Sequence, residues 1–272
     1  MILSLSEIST VGASFAEDVE AYAAAGFDAI GLWEFKLPED DEANHALLRE
    51  HGLRVANCVP TIPSVLPLAI PGMEGPNDVE ERVSALEASI ARFAAYDPTC
   101  VVCLAGPLGG RSEPEGTNLL ADALLRVAAA AGRDGVRVGF EPVHASQRDQ
   151  TGFVNTLAAA DALLARAGAP ELGILFDTYH LWDDPEVVPW IGENAGRIAG
   201  VHVSDWPSVD RTDRVLPGEG ISRTGELVEA LAVAGWDGAL DVEIFSTPGL
   251  FWGLPVDEAA RRAHAAAAAL CP

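Results

Sequence analysis

Short apolar runs alternate with Ala-rich amphipathic stretches along the whole chain, and this alternation limits the fold more than any other feature. The runs fall at about 2–5, 28–33, 54–58, 100–104, 137–141, 173–177, 198–203 and 238–244. The stretches fall at about 15–25, 42–51, 78–96, 117–132, 155–167, 186–193, 225–234 and 256–270. Short apolar runs bounded by turn signals read as buried strands, and the longer periodic stretches as helices. The stops agree. Ser14-Phe15-Ala16-Glu17 spells a capping box, and Gly26, Gly52, Gly132, Gly168 and Gly235 stand where helices should end. Eight such units in 272 residues predict an α/β protein, a single (β/α)8 barrel with residues 1–272 as one domain, over an open doubly wound sheet. No Gly-x-Gly-x-x-Gly follows the first strand and no loop ends in Gly-Lys-Ser or Gly-Lys-Thr, so the usual nucleotide-binding signatures are missing.

Charge and cysteine usage narrow the partners. The formal net charge is −24 and Lys36 is the only lysine. Such a field repels phosphate backbones and anionic lipid, which argues against nucleic acid and membranes. No run of apolar residues is long enough to span a bilayer, and no basic leader precedes Ile2, so a cytoplasmic location is expected. Cys100 and Cys103 have the spacing of a redox or zinc pair. They lie within one predicted strand, however, where positions three apart face opposite ways. They are expected, with Cys58 and Cys271, to be reduced thiols.

Four consecutive predicted strands end on an acid or an imidazole: Glu141, Asp177, His202 and Glu243. An ionised group at the end of an apolar strand needs a partner, and in a barrel the C-terminal ends of neighbouring strands converge on one mouth. Three carboxylates and one imidazole suit one divalent metal ion, Mn²⁺ first, with Mg²⁺, Co²⁺ or Zn²⁺ as alternatives. The competing reading is four independent polar strand ends capped by loop amides. Gly139 and Gly200, two residues before Glu141 and His202, are expected to leave room for an ion. His180 and His144 lie just beyond their strands and could meet substrate oxygens, while a structural role remains open for each. Aromatic residues near the mouth, Trp33 beside Glu34, Tyr179, Trp182, Trp206, Phe245, Phe251 and Trp252, could pack on the C–H faces of a sugar. Arg214 is the cation best placed for a substrate oxygen, although an ion pair with Asp213 or Glu219 competes. Asp241 is expected to lie one layer below Glu243. Two long loops, 60–77 and 205–223, follow strand ends and are expected to cover the site.

The segments Gly139-Phe140-Glu141-Pro142-Val143-His144, Phe176-Asp177-Thr178-Tyr179-His180, Val201-His202-Val203-Ser204-Asp205-Trp206, Leu216-Pro217-Gly218-Glu219-Gly220 and Asp241-Val242-Glu243 resemble the xylose isomerase-like TIM-barrel superfamily, in its sugar phosphate isomerase/epimerase branch. The resemblance spans nearly the whole chain. It implies that Glu141, Asp177, His202 and Glu243 bind the metal, and that Glu141 and Glu243 also move protons between carbons through an enediolate. It further implies that His180 and Arg214 touch substrate oxygens, with His144, Trp33, Glu34 and Trp206 as substrate-binding candidates. Further clusters suited to the three-zinc site of related DNA-repair endonucleases are not evident, and neither is a loop rich in Arg or Lys that would clamp a phosphate. The expectation is a metal-dependent isomerase or epimerase of a free sugar, keto-sugar or polyol. The alternatives are a lyase acting on a keto-inositol, another cyclic ketone or a 3-keto-glycoside, and a non-catalytic metal-dependent accessory subunit. A homo-oligomer is the quaternary state suggested by the family.

Overall fold

A computed structural model describes residues 1–169, 172–208, 210–211 and 213–271. Eight parallel strands close on themselves in sequence order: β1 (Ile2–Ser6), β2 (Ala29–Trp33), β3 (Arg54–Val59), β4 (Cys100–Leu104), β5 (Val138–Glu141), β6 (Leu172–Asp177), β7 (Ile198–Val203) and β8 (Ala239–Val242). The seam pairs Ile2 with Ala239 and Leu5 with Val242. This is the (β/α)8 barrel expected from the alternation. The helices are α1 (Phe15–Ala25), α2 (Asp41–His51), α3 (Val79–Ala94), α4 (Glu113–Asp134), α5 (Leu157–Ala167), a short α6 (Thr178–Leu181), α7 (Val187–Asn194), α8 (Thr224–Val233) and α9 (Val256–Leu270).

Local signals explain most boundaries. Ser14 and Glu17 form the expected capping box on α1, and Gly26, Gly52 and Gly168 end their helices in the left-handed conformation. Gly132 does not stop its helix. α4 runs on to Asp134 and ends at Gly135, whose φ is +70°. A glycine inside a helix is tolerated when alanines around it continue the buried face, as Ala128, Ala130 and Ala131 do here.

Strands covered on both faces split their side chains between two cores. The outer core lies between barrel and helices and contains Cys103, Val101, Phe140 and Phe176. The inner core contains Cys100, Val102, Leu175, Val59 and Trp33. The two thiols therefore sit on opposite sides of the sheet, as strand geometry required, and burial pushes each up to about 12, so both are neutral.

Loop 60–78 lies over the barrel mouth. The backbone N–H groups of Val65 and Leu66 donate to the carbonyls of Leu104 and Ala105, at 3.0 and 2.9 Å, extending the edge of β4. Gly106 makes this close approach feasible. Its φ is +78°, and a Cβ there would lie 2.1 Å from the Leu66 carbonyl oxygen. Arg82 of α3, fully buried, donates to the Ser64 carbonyl at 2.8 Å, to Ser64 Oγ at 2.6 Å and to the Glu74 and Pro76 carbonyls at 2.6 and 2.9 Å.

Candidate metal centre and pocket

β5, β6 and β7 deliver Glu141, Asp177 and His202 to the C-terminal mouth, where their ligand atoms all lie within 4.8 Å of one another. All three are buried. Glu243 follows the last residue of β8, and its N–H continues the ladder by donating to the Val203 carbonyl at 3.1 Å. Its carboxylate joins the cluster from the side: Oε2 is 3.4 Å from His202 Nδ1, and Glu141 Oε1 is 3.9 Å from the same nitrogen.

The donor set fits a divalent cation. Neither ring nitrogen of His202 has a hydrogen-bond partner although both are buried. An imidazole stripped of water without a partner is costly, and a metal ion would satisfy it. The ring's orientation assigns its two nitrogens. Nδ1 faces Glu141 and Glu243, while Nε2 faces Asp241 Oδ2 at 3.6 Å. Asp241 lies below the cluster, where Oδ1 accepts from Ser4 Oγ at 2.7 Å and Oδ2 from Asn57 Nδ2 at 3.3 Å. A carboxylate behind a ligating histidine is the usual support for a metal site. The space beneath the ion is not left open by Gly139 and Gly200, contrary to expectation. A Cβ on Gly200 would lie 2.2 Å from Asn57 Oδ1 and 2.7 Å from Cys100 Sγ, and one on Gly139 would lie 3.0 Å from Leu175 Cβ. The two glycines admit neighbouring side chains, and the cluster rests on a filled core.

Arg214 enters from the loop after β7. Its Nη1 donates to Asp177 Oδ2 at 2.8 Å and to Glu243 Oε2 at 2.9 Å, not to Asp213 or Glu219. The guanidinium lies over Tyr179, with Cζ 4.3 Å from the ring centre. Burial opposes its charge, but Asp177 and Glu243 hold it protonated. Burial likewise opposes ionisation of Asp177, yet Arg214 and the nearby imidazoles keep its carboxyl below the ordinary range. Burial disfavours a charged His202, but Glu243, Glu141 and Asp241 overcome this and push it up to about 10. The carboxylates thus collect two positive charges, a guanidinium and an imidazolium, where one divalent ion would serve. Glu141 itself is raised to about 7, chiefly by burial.

His180 lines the cavity. Its Nδ1 accepts from the His144 N–H at 3.1 Å, which leaves the ring proton on Nε2, 3.8 Å from Asp177 and 3.9 Å from Glu141. Burial drives its pKa down to about 3, so the ring is neutral and can donate one hydrogen bond to a bound oxygen.

Of the other expected substrate contacts, Trp33 lines the cavity and donates from Nε1 to Ser6 Oγ at 2.9 Å. Glu34 does not reach it. Its Oε2 accepts from the Thr61 N–H and Ser89 Oγ at 2.8 and 2.7 Å, pinning β2 to α3 on the outer side. The His144 ring turns toward Asp183, 3.1 Å away, and toward Ser146, and it serves the site through its backbone N–H alone. Trp206 stands behind the pocket, 4.9 Å centre to centre from Tyr179, with Nε1 donating to the Tyr179 carbonyl. The cavity, about 250 Å³, is also lined by Gln147, Gln150 and Thr151 from the turn after β5. That turn carries no sequence signal beyond polarity.

A barrel with a buried acid-and-imidazole cluster at its C-terminal mouth defines the class. The chain belongs to the xylose isomerase-like TIM barrel family, whose model matches residues 19–270. It is 27% identical over 262 residues to a 3-dehydroshikimate dehydratase of Pseudomonas aeruginosa, covering 89% of this chain but only 38% of that longer protein. It is 29% identical over 241 residues to a putative hydroxypyruvate isomerase of Streptomyces coelicolor, covering 82% of each. Among solved structures, protein SMc04130 from Sinorhizobium meliloti superposes with a TM-score of 0.86 at 24% identity, covering 99% of this chain and 98% of that one. Members of the family are enzymes. Among the described residues no helix is long and apolar enough to cross a membrane.

Proposed function

We propose that the chain is a divalent-metal-dependent isomerase or epimerase of a free sugar or keto-sugar. One observation carries the reading: the carboxylates of Glu141 and Glu243 flank a single point, His202 Nδ1, at 3.9 and 3.4 Å. Two bases beside one small space can take a proton from one carbon and return it to that carbon's other face or to its neighbour. Glu141, Asp177, His202 and Glu243 would hold the ion, with Mn²⁺ the first choice for such an oxygen-rich set. When bound, the ion supplies Lewis-acid polarisation of adjacent carbonyl and hydroxyl oxygens. His180 Nε2–H and Arg214 donate to substrate oxygens and hold the reacting carbons against the carboxylates.

The test is incubation with Mn²⁺ and ketoses in deuterated water. Deuterium on carbon in a product of unchanged formula supports the reading. Loss of water instead would establish the second reading, a dehydratase, which the match to the Pseudomonas protein across 89% of this chain favours. Both reactions begin with the same proton abstraction and differ in whether a β-hydroxyl leaves. Unchanged turnover in Glu141→Gln and Glu243→Gln would rule out both.

A further inference from the structure

Apart from Gln147, Gln150 and Thr151 of the turn after β5, the cavity has two unlike sides. Glu141, His202, Arg214 and Glu243 occupy the side built by β5 to β8. On the other side, β3, β4 and loop 60–78 present Val59, Val102, Leu104, Leu68, Ile70 and Met73. These are not scattered contacts. Leu68 and Leu104 are buried together with Val143, and Ile70 and Met73 pack onto them. Met73 also reaches the inner core beside Trp33 and Val102. The backbone N–H groups of Val65, Leu66, Ala69 and Met73 already donate to carbonyls.

Charge leads to the same place. Among the described lining residues Arg214 is the one permanent cation, and it stands on the carboxylate side, beside Asp177 and Glu243. Three carboxylates, one guanidinium and one divalent ion cancel formally, so a loaded site has no surplus positive charge for an anion.

We propose that the end of the substrate remote from the carboxylates is uncharged and hydrocarbon-rich, a deoxygenated or methyl-bearing terminus, and that loop 60–78 selects it. This rests on the reading that the carboxylate side holds an α-hydroxy carbonyl group. A hydroxyl pressed against Leu68, Ile70 and Met73 loses water and gains no partner from them, and a phosphate there loses far more.

Calorimetric titration of the Mn²⁺-loaded chain with D-fructose, 6-deoxy-D-fructose and D-fructose 6-phosphate tests this, because the three differ only at the far end. The 6-deoxy sugar should bind about tenfold tighter than D-fructose, and the phosphate at least about a hundredfold more weakly than the 6-deoxy sugar. Ile70→Arg, at a half-buried loop position where folding should survive, should bring the phosphate level with or ahead of the 6-deoxy sugar. Equal or reversed affinities in the native chain, or no binding of any of the three, would overturn the inference. Solvent deuterium exchange into the same sugars reports separately on proton transfer. The expected affinity order without exchange would sink the isomerase reading alone, and exchange with a reversed order would sink the apolar wall alone.

Discussion

Loading the cluster with Mn²⁺ should raise the melting temperature through the four ligands and by an amount that can be worked out. An ion that binds only the folded chain at about a hundred times its dissociation constant adds about 2.7 kcal/mol. Unfolding entropy near 60 °C is about 2.1 cal/mol/K per residue, which over this chain gives roughly 0.6 kcal/mol per kelvin. The shift is then about 5 °C. Glu141→Gln is the informative control. His180 Nε2 and His202 Nδ1 are each 3.9 Å from Oε1, so the amide breaks no short hydrogen bond; it loosens only the hold on the His202 proton, which Glu243 and Asp241 share, and the ion-free variant should melt within about 2 °C of the native chain. It should lose most of the Mn²⁺ shift. Differential scanning calorimetry after chelation and after Mn²⁺ addition reads both effects. A surface of net charge −24 collects cations loosely, so an equal shift in Glu141→Gln would show that the ion sits elsewhere. Absence of any shift in the native chain would remove the metal centre altogether.

Asp241→Asn should weaken Mn²⁺ binding by about 10–100-fold in competition with a fluorescent chelator, since Asp241 stands 3.6 Å behind His202; unchanged affinity would deny it that role. Arg82→Met should expose loop 60–78 to limited proteolysis and raise KM for the cognate sugar about tenfold with a smaller change in kcat, because four hydrogen bonds to that loop disappear. Glu7, buried against Lys36 and Asp18, is pushed up to about 8, chiefly by burial, so the folded chain keeps a proton that the unfolded chain releases near the ordinary 4.5. Stability is therefore full below that lower value and falls as pH rises through about 8, by up to roughly 1.4 kcal/mol per pH unit. Urea unfolding of Glu7→Gln at mildly acidic and mildly alkaline pH should show a smaller decline than the native chain, and an identical decline would assign the slope to another group.

The barrel was legible because its strands are buried on both faces and read as unbroken apolar runs, while glycines in the left-handed conformation mark the helix stops. The acid cluster was legible for a related reason. A charge at the end of such a run has nowhere to go but the mouth, and Glu141, Asp177, His202 and Glu243 do converge there. Direction was harder to read for the flanking residues. Trp33 faces inward, and period-two alternation alone sends Glu34 outward to Thr61 and Ser89, so sequence adjacency to Trp33 misled. His144 and Trp206 lie beyond their strands, where no periodicity governs the side chain and the aim depends on Asp183 and Tyr179 from another segment. The apolar wall escaped for the same reason. Leu68, Ile70 and Met73 belong to a proline-rich loop whose path is set by Arg82 and by the edge of β4, and neither contact follows from local sequence.

The arrangement of charge also couples metal and sugar binding at the site. Without an ion the cluster neutralises itself: Arg214 lies on Asp177 and Glu243, His202 takes up a proton, and burial raises Glu141 and Asp241 each to about 7. Glu141, Asp177, His202 and Glu243 would hold an ion with the same oxygens and nitrogen that now engage the guanidinium and the His202 proton, so the two would compete with it. Besides those oxygens Arg214 has Ser204 Oγ at 3.4 Å, the Glu243 carbonyl at 3.5 Å and His180 Nε2 at 3.5 Å around its donors, with the Tyr179 and Phe245 rings 4.3 and 5.0 Å from Cζ. On this reading the side chain that holds the ion-free site together competes with an ion for the same carboxylates, so sugar affinity should depend on metal loading.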